Sequence, residues 1–259
     1  LNITNEDSGG SFDVGFDVDG GLDVKKLDRL LLSSRGLINT WYDQSGNNND
    51  LTSSGSNRPI ISTVNKVGNS LAIIFESRTV YNGSFVPEQF LTIPGSVTGQ
   101  SNNVTISCLS SLSSTVRDCP LVELSGSDGN HTAIGKREQN GVDSMSLYQN
   151  SVRVVISDHQ PKITDNFFTA SFGGSKANYY EGDSFSSDGT AQAGVAFTGG
   201  KVGATTDIFT AADQTPRNGG AMIAGLAIFN DDFSELQHRN MFRYLVKQAD
   251  LTPQYRGNL

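Results

Sequence analysis

Apolar and polar residues alternate at a period of two in short runs along most of the chain, and clusters of Gly, Asn, Ser and Asp separate the runs. On this pattern strands are predicted at Leu37–Tyr42, Pro59–Ser62, Leu71–Phe75, Phe90–Ile93, Val104–Leu109, Leu121–Leu124, Thr132–Gly135, Ser144–Tyr148, Val152–Ile156, Phe167–Phe172, Ala177–Tyr180, Ala193–Phe197 and Met222–Phe229. Residues 1–20 read as a strand and loop. Many short strands between turn formers predict an all-β sandwich or barrel, and no fixed repeat suggests a propeller. Two stretches switch to the helical period. Asp23 to Ser34 reads as a short helix capped by Asp23, with Leu27, Leu30 and Leu31 on one face and Gly36 as its terminator. Phe233 to Ala249 reads as a longer helix. Ser234 and Gln237 form a capping box, Leu236, Met241, Tyr244 and Leu245 form the predicted core-facing side, and His238 falls on the polar side.

The densest cluster of turn formers is Thr40-Trp41-Tyr42-Asp43-Gln44-Ser45-Gly46-Asn47-Asn48-Asn49-Asp50-Leu51. Asp and Asn side chains bond their own backbone two residues on, and Gly46 takes positive φ at little cost. The structural reading is a self-bonded turn built on Asp43, Ser45, Gly46 and Asn47. The alternative is a calcium or sugar site on Asp43, Asn47, Asn49 and Asp50, since hard cations take such oxygen ligands. Asp13, Asp17, Asp19 and Asp23 also resemble a calcium loop, but the run lacks the length and terminal Glu of an EF-hand.

The same turn carries a family resemblance. Tyr42 to Asp50 looks like the "YDQSGNGND" signature shared by arabinofuranosidase B catalytic domains and laminin-G-like, concanavalin-A-like domains of bacterial surface and phage proteins. Asp13-Val14-Gly15-Phe16-Asp17 with Gly21-Leu22-Asp23 is similar to their "DIGF…GYLD" run. Leu71 to Phe75 followed by Phe90 to Pro94 is similar to their "PALRFDG…YLTIP" pair, and Ile223 to Asn230 with the following helix resembles their closing strand and helix. The resemblance implies an antiparallel jelly-roll β-sandwich of concanavalin A type, with one or two peripheral helices. It is loose over residues 130–215. Relatives with the "DIGF" run carry further sequence before it, so the chain is expected to be a segment or processed product of a larger protein.

Composition narrows the function. The chain has 259 residues and a net charge of -8, which argues against nucleic acid and against an anionic membrane surface. No apolar run reaches the roughly 20 residues of a membrane span. The length and the lack of a linker favour one sandwich over residues 1–259. Cys108 and Cys119 lie on predicted neighbouring strands around the Ser-rich Ser110 to Thr115. A disulfide implying an oxidising location and a pair of reduced thiols are both open readings.

For chemistry, glycosidases need two facing carboxylates. Glu76, Glu88, Glu123, Glu138 and Glu181 are the Glu candidates. Val122-Glu123-Leu124 puts one on a strand, with no partner following at period two. His131, His159 and His238 have no nucleophile elbow to serve. Sandwiches of the resembled type commonly bind glycans through loop polar groups and an exposed aromatic. Tyr148, Tyr179 and Tyr180 are the stacking candidates, while the strand position of Trp41 favours the core. The favoured reading is a non-catalytic domain, extracellular or on a virion surface, that attaches to carbohydrate or decorates an assembly as one of many subunits. A glycoside hydrolase of arabinofuranosidase type and a purely structural capsid or tail component are the alternatives. No cofactor other than calcium is expected.

Overall fold

A computed structural model describes residues 1–16, 22–76, 89–97, 103–112, 118–126, 131–139, 142–149, 152–156, 166–173, 176–182, 184–190, 196–204 and 220–249. The strands are β1 (Asn2–Asn5), β2 (Ser11–Asp13), β3 (Gly36–Trp41), β4 (Leu51–Thr52), β5 (Ile60–Val67), β6 (Ser70–Phe75), β7 (Leu91–Ile93), β8 (Val104–Leu112), β9 (Asp118–Gly126), β10 (His131–Gln139), β11 (Val142–Gln149), β12 (Val152–Ile156), β13 (Asn166–Gly173), β14 (Lys176–Glu181), β15 (Ser184–Thr190), β16 (Phe197–Val202) and β17 (Ala221–Phe229); the helices are α1 (Val24–Leu31) and α2 (Glu235–Gln248).

All pairings among these strands are antiparallel, and they form a continuous sheet folded into two layers. One layer runs β5-β6-β17-β8-β13-β14-β15 and the other β4-β7-β16-β9-β10-β11-β12; these are the back and front layers below. At the far edge β12 lies against β14 and β15. The joint is β3. Its start, Gly36 and Leu37, pairs with Ile61 and Ile60 of β5, while its end, Thr40 and Trp41, pairs with Thr52 and Leu51 of β4. This is an all-β, antiparallel jelly-roll sandwich with two peripheral helices.

Alternation places the core. On β8, Val104, Ile106 and Cys108 face inward; on β13, Phe168, Ala170 and Phe172; on β11, Met145 and Leu147. All belong to the same interlayer cluster as Leu27 and Leu31 of α1. Asp23 caps α1 as predicted, accepting from the Lys26 amide at 2.9 Å. The helix ends at Leu32, which takes the left-handed conformation, so Gly36 is not its terminator. Gly36 instead opens β3, where a Cβ would meet Ile3 at 2.6 Å and Ile61 at 3.0 Å.

The outer face of the back layer is also covered. Thr105, Ser107 and Leu109 alternate with the core residues of β8, and all three are buried. Ser107 bonds Thr169 across the strands at 2.9 Å, and Thr105 donates to the Asp231 carbonyl at 2.7 Å. α2 roofs this face through His238, Phe242, Leu245 and Val246, the spacing of one helical face. The Ser234–Gln237 capping box forms as predicted. The predicted core-facing side is out of phase, because Leu236 and Tyr244 are 66% and 57% exposed. The difference turns on His238, a polar residue that is buried in this face. Its ring stacks on Tyr180 at 4.1 Å, and Nε2 lies 3.1 Å from the accepting Gly182 carbonyl.

Strand lengths also differ from the pattern. β8, β9 and β10 each extend past the apolar runs that mark them, because Ser, Glu and Lys continue the ladder. The polar β15 was not predicted. Most of the predicted strand Ala193–Phe197 lies outside the described residues, and β16 begins at Phe197.

The disulfide reading is corrected. β8 pairs with β13 and β17, whereas β9 pairs with β10 and β16, so Cys108 and Cys119 sit in opposite layers rather than on a hairpin. No bond joins them, and both thiols are buried. Burial pushes the Cys108 thiol far up, which suppresses the reactive thiolate. The native protein should take up no maleimide, and the denatured protein should take up two equivalents, one per cysteine, without reductant; mass spectrometry reads both numbers. A second check addresses the phase of α2. Phe242→Ala should cost about 3 kcal/mol and Tyr244→Ala less than about 0.5 kcal/mol in urea denaturation.

Candidate functional site

Directly paired residues in antiparallel strands point to the same face. One such line runs from β2 through β1 and β3 onto the front layer and across it as far as β11. Asp13 of β2 pairs with Asn2, Asn2 with Thr40, Thr40 with Thr52, and Thr52 with Thr92. Thr92 then pairs with Lys201, Lys201 with Glu123, Glu123 with Ala133, and Ala133 with Tyr148. Neighbours along these strands, including Ile3, Leu91, Ile93, Val122, Leu124, Ile134, Leu147 and Val202, are in the interlayer core. The line therefore lies on the outer face, and seven of its members, from Asp13 to Glu123, are polar. At the usual strand spacing those seven extend over roughly 29 Å.

The middle of the line is shaped by glycines. β16 shifts register between Phe197 and Gly199, and Gly199 has φ 147°. A Cβ on Gly200 would come within 2.0 Å of the Glu123 carbonyl oxygen, so β16 can approach β9 this closely only with glycine there. Lys201 follows directly. Its Nζ lies 5.0 Å from the centroid of the Phe90 ring. Phe90 borders a shallow depression of about 240 Å³, lined also by Thr52, Ser53, Ser54, Asn57 and Thr92. The Phe90 amide donates to the Asn57 carbonyl at 2.9 Å, tying the rim to β7.

The two ends of the line differ in exposure. Glu123 is fully buried, and its Oε1 lies 3.5 Å from Nδ1 of His131. At the other end Asp13 is exposed and accepts from the Tyr42 hydroxyl at 2.7 Å and the Asn2 amide at 2.8 Å. The Tyr42 hydrogen bond, then that of Asn2, holds the Asp13 carboxyl below its ordinary value, and the same bond to Asp13 raises the Tyr42 hydroxyl. Beside them the Asn39 amide donates to Asn2 Oδ1 at 2.8 Å and to Thr4 Oγ1 at 2.9 Å, and Asn39 Oδ1 accepts from Arg58 at 3.2 Å.

The turn at 42–51 carries β3 into β4. Asp43 accepts from the Ser45 amide at 2.8 Å, the Ser45 hydroxyl at 2.7 Å and the Asn49 amide at 3.0 Å. Asp50 accepts from the Asp43 amide at 2.8 Å, and Asn47 donates to Ser45 Oγ at 2.8 Å. Gly46 and Asn48 take positive φ. Both Asp43 oxygens and one Asp50 oxygen thus serve the turn's own backbone and hydroxyl. Among the described residues no group of three or more His, Cys, Asp or Glu comes together as a metal site. Of the second carboxylate run, Asp17 and Asp19 lie outside the described residues.

The tyrosine expectation is corrected. Tyr148, Tyr179 and Tyr180 are 2%, 1% and 6% exposed, so none offers an open ring to a sugar. Tyr179 stacks with Phe168 in the core, and Tyr180 is the floor beneath His238. Only Tyr148 lies on the outer line, packed with Ala133. Trp41 packs against the core, as its strand position suggested. Of the Glu candidates, Glu123 is in the line and Glu76 pairs with Arg35 at 3.3 Å. Glu88 and the Glu138 side chain lie outside the described residues. Lys201 and the threonines were not singled out from sequence. The signal was a lone polar residue between two core residues, as in Leu91-Thr92-Ile93.

No protein-family model and no curated sequence matches the chain. Solved structures do. A mutant GH54 α-L-arabinofuranosidase soaked with 4-nitrophenyl α-L-arabinofuranoside superposes with a TM-score of 0.70 at 11% identity, covering 96% of this chain and 58% of that one. An arabinofuranosidase complexed with arabinofuranosyl-α-1,2-xylobiose gives 0.63 at 12% identity over the same shares. Domain 4 of AbnA, a GH43 extracellular arabinanase from Geobacillus stearothermophilus, in complex with arabinotriose, gives 0.50 at 15% identity, covering 73% of this chain and 82% of that one. At these identities the likeness is one of fold. The chain spans 58% of the length of the arabinofuranosidases it matches.

Asp43→Ala should cost about 1–3 kcal/mol, because it leaves the turn's amides without their acceptor. Burial alone would raise the Asp43 carboxyl, and the hydrogen bonds from Ser45, Asn49 and Asn47 outweigh it, so its folded value is lowered. Its contribution is therefore complete above the ordinary carboxylate value of roughly 3.9 and is lost as pH falls through the lower folded value. Urea midpoints of wild type and Asp43→Asn should converge as pH drops from 6 toward 3.

Proposed function

We propose that this chain is a carbohydrate-binding module that holds a glycan chain across the outer face of the front layer and does not cut it. The observation that carries this reading is the line of polar side chains from Asp13 to Lys201, one per strand over six strands, which ends at the buried Glu123. Hydroxyl, amide, carboxylate and ammonium groups in a row match the repeating hydroxyls of a saccharide, and the line is long enough for several sugar units. The fold neighbours with bound arabinose-containing ligands support a carbohydrate role. Against cutting, the line's two carboxylates, Glu123 and Asp13, stand six strands apart, whereas glycosidase pairs need at most roughly 9.5 Å.

The face is exposed at Thr52 and Thr92 and buried at Glu123, Ala133 and Tyr148, so the accessible part is small and single-site affinity is expected to be weak, since binding must offset lost motion. Display in many copies on an extracellular or virion surface would multiply it through linked sites. Among the described residues no helix is long and apolar enough to cross a membrane.

A glycan array followed by calorimetry tests the reading. Wild type should bind at least one oligosaccharide, and Thr92→Arg, at an exposed strand position, should weaken it at least tenfold with an unchanged melting temperature. One observation favours the hydrolase reading, namely the buried Glu123 carboxylate beside His131. Incubation with arabinan, xylan, laminarin and aryl glycosides should release no product. Turnover that vanishes in Glu123→Gln would overturn the binding reading.

A further inference from the structure

We propose that the depression beside Phe90 is a subsite for an anionic sugar, one bearing a carboxylate or sulfate group, with Lys201 as its counter-ion. This rests on the glycan-binding reading and specifies the charge of the ligand. Three features carry it. First, the Lys201 ammonium is held over the Phe90 ring, 5.0 Å from its centroid, and among the described residues it makes no ion pair. Glu123, its direct cross-strand partner, turns Oε1 toward His131 at 3.5 Å. The ammonium thus stands beside Phe90, at the rim of the depression, with no carboxylate paired to it among the described residues, and the ring face that holds it limits its rotamers.

Second, the rest of the lining among the described residues is hydroxyl and amide, from Thr52, Ser53, Ser54, Asn57 and Thr92, with no carboxylate among them. Such a surface hydrogen-bonds a sugar ring and does not repel an acid group. Third, the Ser53 hydroxyl is buried without a hydrogen-bond partner, although its backbone amide bonds the Asn39 carbonyl at 2.9 Å. A buried hydroxyl lacking a partner is costly, and donating to a bound acceptor would relieve that cost once the Ser53 side chain turns out into the depression. The geometry behind Lys201 is fixed, since Gly200 cannot carry a side chain where β16 passes β9. The net charge of -8 gives polyanions no long-range attraction, and at physiological salt fields fade over about 8 Å. Any preference for anions must therefore be local.

The test compares matched pairs by calorimetry: oligogalacturonate against its methyl ester, and dextran sulfate against dextran. Wild type should bind at least one anionic member at least tenfold tighter than its neutral partner, and the gap should shrink between 50 and 500 mM NaCl. The pair that shows the gap identifies carboxylate or sulfate as the recognised group. Lys201→Met should abolish the gap, so that the anionic member binds no tighter than its neutral partner; Lys201→Arg should keep it. Lys176→Met, at an exposed position of the back layer, should change nothing. Neutral binding with no anion preference, or a gap that survives in Lys201→Met, overturns the subsite and leaves the glycan reading standing. Absence of binding to any saccharide overturns both.

Discussion

The two layers depend on one strand that belongs to both. β3 gives its first residues to β5 of the back layer and its last to β4 of the front layer, within six residues. The backbone must change neighbours there while Ile3, Ile38 and Ile61 close the core around it. Gly36 lets Ile3 and Ile61 meet where the crossing is tightest. At the other end Asp43 and Asp50 bond the turn so that β4 returns in register with Trp41 and Thr40. A slip of β4 by one residue would send Thr52 inward and Leu51 outward. The turn at 42–51 is thus the register lock of the whole front layer, and the polar line downstream inherits its alignment from it.

Much of this architecture was legible in the sequence. Period-two runs marked most strands, and Asp23, Ser234 and Gln237 announced both helix starts. The illegible parts share a cause. α2 was rotated in the reading because a histidine counted as polar, yet His238 is buried on an aromatic floor. The burial of the tyrosines is illegible because no local pattern says whether a helix or a second layer covers a strand face. The cysteines were put on a hairpin because the chain between β8 and β9 reads as a turn, while it crosses from one layer to the other.

The candidate site was legible only in fragments. Thr40, Thr52, Thr92, Lys201 and Glu123 are spread over 162 positions of sequence, the difference between 40 and 201 inclusive, and only strand pairing aligns them. Each was visible as an outward residue, but the order of strands was not. Fold likeness to arabinofuranosidases likewise leaves function to the side chains on this face. The groups that would touch a ligand belong to the strands from β1 to β4 and to β7 and β16, whereas the long strands β8 to β11 supply mostly packing.

The position of β16 and β17 has a consequence for how the chain is made. β16 lies between β7 and β9, and β17 lies between β6 and β8, so the last two strands fill the interior of both layers. Until residues 197–229 leave the ribosome, four strand edges stay open in a nascent chain that already carries most of its apolar residues. Contacts such as Cys108 with Leu226 close loops of more than a hundred residues, which slows folding and lengthens that exposure. The sheet is closed like a wedge driven from the carboxyl end. Any truncation before β17 would therefore yield a sticky, edge-rich intermediate rather than a smaller version of the same domain.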